Sequence, residues 1–417
     1  MPTSTVGLTL GMADQVLKED YKGPLRKQIN DMVVLSAQVA KNRDDIYGRR
    51  AIIPLQVGRN VSVGARIEGE TMPGGKASNQ QGAQNTVDQI VSLRSNYGRI
   101  RLTRQVISRM EKDRGAFVRA VALEMDGLRD DTSRDYNRQL WGTSDGVIAQ
   151  CGVTTAANVV VLATTTAEQV LVNFAEGMLV DIGTVASPST ISGTPRLITA
   201  VDFTNKTITI DGAVVTTSSI HFVFRAGSGG SGANQRELTG IQTMVAATGT
   251  LFGVDPTVYF GWASIVESNS GTARPVSENI VTKAMMRARN RSGQADFTLY
   301  AEDQAYRAAV NNLSAKHRIV NTLELKGGHS AVAYVLGGKE YPLVAERDAP
   351  VGNMYGLCHP KLVEYVDEDW QWEDTDGNAL HLAMDGTHAF EAYWFKFSEF
   401  ATVQRNAHFL LSDLELA

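Results

Sequence analysis

The chain has 417 residues, 43% of them hydrophobic and 20% charged, with a net charge of −5. That length supports two or three domains with real cores, and that balance argues against both a disordered chain and a nucleic-acid binder built on a dense basic patch. No apolar run approaches the 18 residues of a membrane span, and the first residues lack the basic-then-apolar profile of a signal peptide, so synthesis in the cytoplasm is expected.

Residues 1–48 read as an arm rather than a domain. Two short amphipathic segments, 13–20 and 25–39, flank Gly23-Pro24, and their apolar content is thin for an independent core.

Residues 49–104 read as a long β-hairpin. On the outgoing side Ile53, Leu55, Val57, Val61, Val63, Ala65 and Ile67 share one parity, the period of a half-buried strand. On the return side Val87, Val91, Leu93 and Tyr97 do the same, and a flip near Gly98 before Ile100 and Leu102 predicts a bulge. The connection between them is polar and glycine-rich, with Lys76 near its tip. A lone hairpin has nothing to bury its apolar face against, so another copy of the chain is the expected partner.

From Asp113 to Trp141 there is no proline, and Phe117, Val121, Met125, Leu128 and Leu140 recur at helical spacing. At 1.5 Å per residue this predicts a rod of roughly 43 Å, with a cost of ~1 kcal/mol at Gly127. Its opposite face carries Arg119, Glu124, Arg129, Asp130, Asp131, Arg134, Asp135 and Arg138. Mixed signs four apart, such as Asp130 with Arg134, support the helix itself. The density of charge also suggests ion pairs between subunits.

Residues 152–235 change character: short Thr/Val-rich strand candidates separated by Gly and Pro turns, including a hairpin at Phe203–Asn205. They read as an inserted small antiparallel barrel or sandwich. Residues 236–270 connect onward. Residues 271–365 alternate helix and strand, with Ser277 as a predicted N-cap, and 366–417 return as strands that share the sheet.

Candidate chemistry is sparse. GSGGSG at 227–232 matches G-x-G-x-x-G but lacks a βαβ setting, which favours a flexible linker over a phosphate site. Seven scattered histidines include none in HExxH; His381 and His388 near Asp385 read as the flanks of a turn. Cys151 and Cys358 make neither a disulfide framework nor a metal cluster. No catalytic residue, cofactor or metal site is assigned, and an enzyme is not expected.

The order arm, long hairpin, long charged helix and mixed domain resembles the major capsid proteins of tailed phages, the Hong Kong 97-type shell fold. Three stretches carry the resemblance: RELTGIQTMVAATGTLFGVDPTVYFGWAS at 236–264, KEYPLVAERDAPVGNMYGLCHPKLVEYVDEDWQWEDTDGN at 339–378, and EAYWFKFSEFATVQRNAHFLLSDL at 391–414. It implies an α+β shell fold with an N-terminal arm (1–48), an extended loop (49–104), a spine helix of the peripheral domain (105–151), an insertion (152–235), a peripheral-to-axial connection (236–270), an axial domain (271–365) and peripheral return strands (366–417). It further implies pentamers and hexamers of this chain around double-stranded DNA held non-specifically, with portal, scaffold and decoration proteins as partners. The location implied is the virion, after assembly in the host cytoplasm. With about 45 residues ahead of the hairpin, any scaffold is expected to be a separate protein.

Inter-subunit contacts are expected from Ile53, Leu55, Val57, Val61, Val63, Ile67, Lys76, Val87, Val91 and Leu93 on the hairpin, and from Arg119, Glu124, Arg129, Asp131, Arg134 and Arg138 on the helix. Some members join a loop Lys to a neighbour's Asn; matching locates no partner acid for Lys76, and a glycine-rich tip leaves it solvated. The alternatives are an encapsulin-like compartment of the same fold and, from another class, a surface-binding module using the insertion.

Overall fold

The computed structural model describes residues 35–36, 38–60, 63–68, 84–105, 114–163, 168–315, 322–324, 330–336, 338–374, 380–383 and 387–416. Val61 and Lys76 lie outside them, as does the side chain of Arg119. The described residues of 94–238 and 367–398 belong to one compact unit; those of 37–93, 239–366 and 399–417 belong to a second.

In the first unit the predicted long helix runs Arg114–Trp141, straight through Gly127. Its last turns are the buried ones: Tyr136, Leu140 and Trp141 are 4%, 2% and 1% exposed. The strand Arg94–Thr103 packs beside it and pairs antiparallel with the strand Ala389–Thr402, from Arg94↔Ser398 to Thr103↔Ala389.

After the helix the chain enters a six-stranded antiparallel sheet. Its spatial order is Val147–Gln150, Phe222–Arg225, Leu179–Gly183, Arg196–Asp202, Thr207–Ile210 and Val159–Val161. The predicted turn at Phe203–Asn205 joins two of these strands, and the Asp202 carboxylate accepts from the Thr204 and Asn205 backbone N–H groups there. The first and last strands of this order are themselves joined. Cys151 bridges Leu162, Gly152 N donates to Val161 O at 2.8 Å, and Ala163 N donates to Gln150 O at 2.9 Å. Inside sit Val160, Leu162, Val180, Ile182, Ile198, Ile208 and Val223, all at most 1% exposed. A separate two-stranded pair, Thr154–Ala157 with Val215–Thr217, adjoins it.

In the second unit a seven-stranded sheet has the order Ile265–Glu267, Phe409–Leu411, Met354–Leu357, Thr298–Ala301, Lys339–Ala345, Ser330–Leu336 and Thr322–Glu324. The C-terminal strand lies inside this order, as the sequence predicts. Two helices cover the sheet's core, Glu278–Ser292 and Asp303–Ala315. Ser277 caps the first as predicted, its Oγ accepting from Ile280 N, and Gly293 ends it in the left-handed region at φ 72°.

The hairpin root also belongs to this unit. Arg50–Gln56 pairs with Thr86–Ser92 in continuous register, and Ala51, Ile53 and Leu55 share the inward parity. The parity change falls at Leu93 rather than Gly98: Gln89 and Val91 are buried before it, Gly98, Ile100 and Leu102 after it, and Tyr97 is 65% exposed. Leu93 is a joint between two sheets, so each strand keeps its own alternation and no bulge is needed. Nor does the root lack a surface of its own, since Ala51 and Val91 pack with Tyr365 and Ala401 in a small core.

Candidate functional site

The surfaces that could serve assembly grow from the hairpin, the long helix and the inserted sheet. On the hairpin, Leu55 and Val91 are 8% and 0% exposed, so their apolar surface is already covered within the chain. Ile53, Val57, Val87 and Leu93 are half-buried. The opposite face carries Ile52 and Ile90, directly opposed in register and 56% and 40% exposed. Cross-strand β-branched pairs of this kind are the unit of sheet packing, and here the pair faces outward. Further along, Val63 and Ile67 stand 82% and 77% exposed. The sequence parity singled out the inward row and missed Ile52 and Ile90, because alternation alone does not say which row meets its own core.

Ion pairs three apart on the helix join Arg129 with Asp126 at 3.8 Å, Arg134 with Asp131 at 3.9 Å and Arg138 with Asp135 at 3.0 Å. Arg138 does not lie on a solvated face. Its guanidinium is 8% exposed and binds Glu237 through both terminal nitrogens, at 3.2 and 2.5 Å. Arg225, from the inserted sheet, joins Asp135 at 3.4 Å. Burial pushes the Asp135 carboxyl up, but Arg138 and Arg225, with hydrogen bonds from Gln139 and Arg138, overcome that and hold it at about 2. Burial raises Glu237 above the usual carboxylate range, against the pull of Arg138. Four charges from three elements thus lock the helix, the inserted sheet and its exit segment together.

The glycine run at 227–232 is a packed strap, not the flexible linker its composition suggests. Gly227 N donates to Asp181 Oδ2 at 2.8 Å, and Gly230 N donates to Asp145 O at 3.1 Å. A Cβ on Gly229 would fall 2.7 Å from Phe224 and 2.8 Å from Pro188, and one on Gly230 would collide with the Asn234 carbonyl. Glycine is needed here for close approach, which composition cannot distinguish from freedom.

A tryptophan cluster lies where the C-terminal strands meet the helix. Trp370 and Trp394 stack at 5.9 Å, Trp372 tilts against Trp394 at 4.9 Å, and the Arg129 guanidinium lies 5.6 Å over Trp394. Lys396, 2% exposed, places its ammonium 4.5 Å over the Tyr136 ring and 3.4 Å from Asp369.

The titratable groups buried in the second unit are structural. His408 Nδ1 accepts from Cys358 N at 3.2 Å, which leaves the proton on Nε2, 2.9 Å from Thr402 Oγ1. Tyr300 Oη donates to Gln38 at 2.6 Å and meets His359 Nε2 at 2.9 Å. Burial drives the histidines down, His359 to about 4 and His408, with the charge of His359 adding, to about 3. Arg405, 1% exposed, donates to the carbonyls of Thr243, Met244, Thr248 and Gly249 and so closes the 243–249 loop around itself; burial lowers it to about 10. Both cysteines are buried and free, and burial pushes both thiols up, Cys151 to about 12. No cluster of three metal-ligating side chains occurs among the described residues.

No protein-family model matches the sequence, and neither does any curated protein. Solved structures do match in shape. The capsid asymmetric unit of Cyanophage A-1(L) is similar at a TM-score of 0.57 and 13% identity, over 98% of this chain and 99% of that one. Looser likenesses are the capsid of Myoviridae Phage XM1 (TM-score 0.46, 7% identity, 98% and 99% covered) and the holo-SrpI encapsulin complex of Synechococcus elongatus (0.45, 10%, 98% and 97%). Nearly end to end, this chain has the fold of that capsid protein, the Hong Kong 97-type shell fold.

Proposed function

We propose that this chain is the major capsid protein of a tailed phage, assembling into pentamers and hexamers of an icosahedral shell around double-stranded DNA. The observation that carries this reading is the fold likeness to the Cyanophage A-1(L) capsid over 98% of the chain. The outward apolar pair Ile52 and Ile90 supports it, because a monomer gains nothing from exposing opposed isoleucines on a hairpin. Closed rings built from one chain need a heterologous interface, and a hairpin reaching onto a neighbour supplies one.

In this reading 1–48 is the arm, 49–104 the extended loop, 105–151 the spine of the peripheral domain, 236–270 the connection, 271–365 the axial domain and 366–417 the return strands. The 152–235 insertion is a small closed barrel that adds contacts or decorates the surface, and portal, scaffold and decoration proteins are the partners in the virion. A net charge of −5 suits a container that holds DNA without gluing to it.

Negative-stain electron microscopy of the purified chain, alone and with a co-expressed scaffold, tests the assembly. Closed shells containing nuclease-protected DNA after expression with the packaging machinery support the capsid reading. Shells that hold protein cargo instead replace it with a compartment, and a monodisperse monomer at high concentration under all conditions overturns self-assembly.

A further inference from the structure

The helix Glu278–Ser292 buries Val281, Ala284, Met285 and Ala288 in the core of the second unit and turns a basic face outward. From Lys283 to Arg291 it carries four cations and no acid. Arg287, Arg289, Asn290 and Arg291 are exposed, and Met286 stands 50% exposed among them. Lys283, at 3.1 Å, and Arg287 already grip one carboxylate, that of Glu267, which shows the kind of group this face takes. Arg289 and Arg291 have no side-chain partner among the described residues. At 1.5 Å per residue the four cations span about 12 Å. Arginine and methionine are enriched where proteins meet, whereas an apolar side chain gains nothing against a phosphate backbone.

The first unit carries the complement. Residues 367–374 (DEDWQWED) hold five acids and no base. Along this strand Asp367, Asp369, Gln371 and Glu373 share one parity, while Trp370 and Trp372 take the other and pack on Trp394. Lys396 holds Asp369, and Gln371 donates to Glu368. Asp367, Glu373 and Asp374 are exposed and have no side-chain partner among the described residues. We infer that the basic face of Glu278–Ser292 in one copy docks on the acidic strand 367–374 of a second copy. Two different patches of one chain meet head to tail in such a contact, the heterologous geometry that closes rings. The inference rests on self-assembly of the chain and adds which charged surfaces meet.

Cysteine pairing between separately made full-length chains tests it, since the protein's own two thiols are buried. Asn290→Cys in one chain and Gln371→Cys in the other replace neutral, exposed residues of the two surfaces. Mixed before assembly and oxidised mildly, they should form the mixed disulfide about tenfold faster than Asn290→Cys with Thr204→Cys, a control on an exposed turn of the inserted sheet. R289E with R291E should slow it about tenfold, and E373R with D374R in the other chain should restore it. Equal rates for the two pairs overturn the dock, and so does a fast pair indifferent to the charge reversals. Equal rates together with a loss of duplex-DNA retention in R289E/R291E overturn it in favour of DNA on this face. A fast, charge-dependent pair in a chain that never closes a shell keeps the dock and removes the capsid reading, whereas closed shells with equal rates remove the dock alone.

Discussion

Arg138 and Glu237 face each other as a two-point pair, 3.2 and 2.5 Å apart, joining the end of the long helix to the segment that leaves the inserted sheet. Both side chains are less than a tenth exposed, so neither charge tolerates the loss of the other. Arg138→Ala should cost about 3 to 5 kcal/mol, because Glu237 is left buried and unpaired. Arg138→Met with Glu237→Leu should recover most of that. Urea unfolding of the unassembled protein measures both, and a double variant no better than the single would refute the pairing as the source of the loss.

Two glycine substitutions should move stability in opposite directions. Gly230→Ala should destabilise by about 1 to 3 kcal/mol, since its methyl meets the Asn234 backbone carbonyl, which no rotamer can clear. Gly127→Ala should stabilise by about 1 kcal/mol, because it lies mid-helix with open space at its Cβ position. Thermal midpoints of the two variants, read side by side, check the contrast.

Acidification should weaken the second unit through its histidines. His359 and His408 are neutral when folded, with pKa values depressed to about 4 and about 3, while an unfolded histidine takes up its proton near 6.5. The unfolded chain therefore binds more protons as pH falls below 6.5, and stability is lost progressively until the folded pKa values are reached. Summed from pH 6.5 down to 4.5, each histidine accounts for on the order of 3 kcal/mol of that loss. Denaturation midpoints between pH 7 and pH 4.5 should fall, and His408→Gln should flatten the dependence while lowering the midpoint at pH 7. Asp135, held at about 2, adds loss only in a lower window, from about 4 down to 2.

Ile52→Asp and Ile90→Asp place charge on an outward face that no core residue covers. Each should leave the unfolding free energy of the unassembled chain within about 0.5 kcal/mol of the parent while suppressing shell formation. Sedimentation velocity separates these effects. Shells formed at parental yield would remove this face from the assembly interface.

Much of the fold is legible in the sequence because its elements are long and periodic. The 28-residue helix and the Ser277 cap fall where spacing and punctuation place them. What was not legible is which partner each element meets. Arg138 reads as one more charge on a helix face, and only the return of the chain at Glu237, 99 residues on, makes it a buried pair. Ile52 and Ile90 are hidden for the converse reason, since their inward neighbours have the cleaner pattern. The four carbonyls around Arg405 leave no mark in sequence at all, because backbone acceptors have no residue type.

The single hydrogen bond from Gly230 N to Asp145 O means that the chain departs for the inserted sheet and comes back at almost the same point. An excursion whose two ends already touch is a cassette: it can be lifted out and the gap closed by a short turn, with the helix and the return segment left in place. The same junction offers an attachment point where a foreign domain with neighbouring termini could be spliced in its stead. In a shell of many identical subunits, such an exchange would display that domain at every copy.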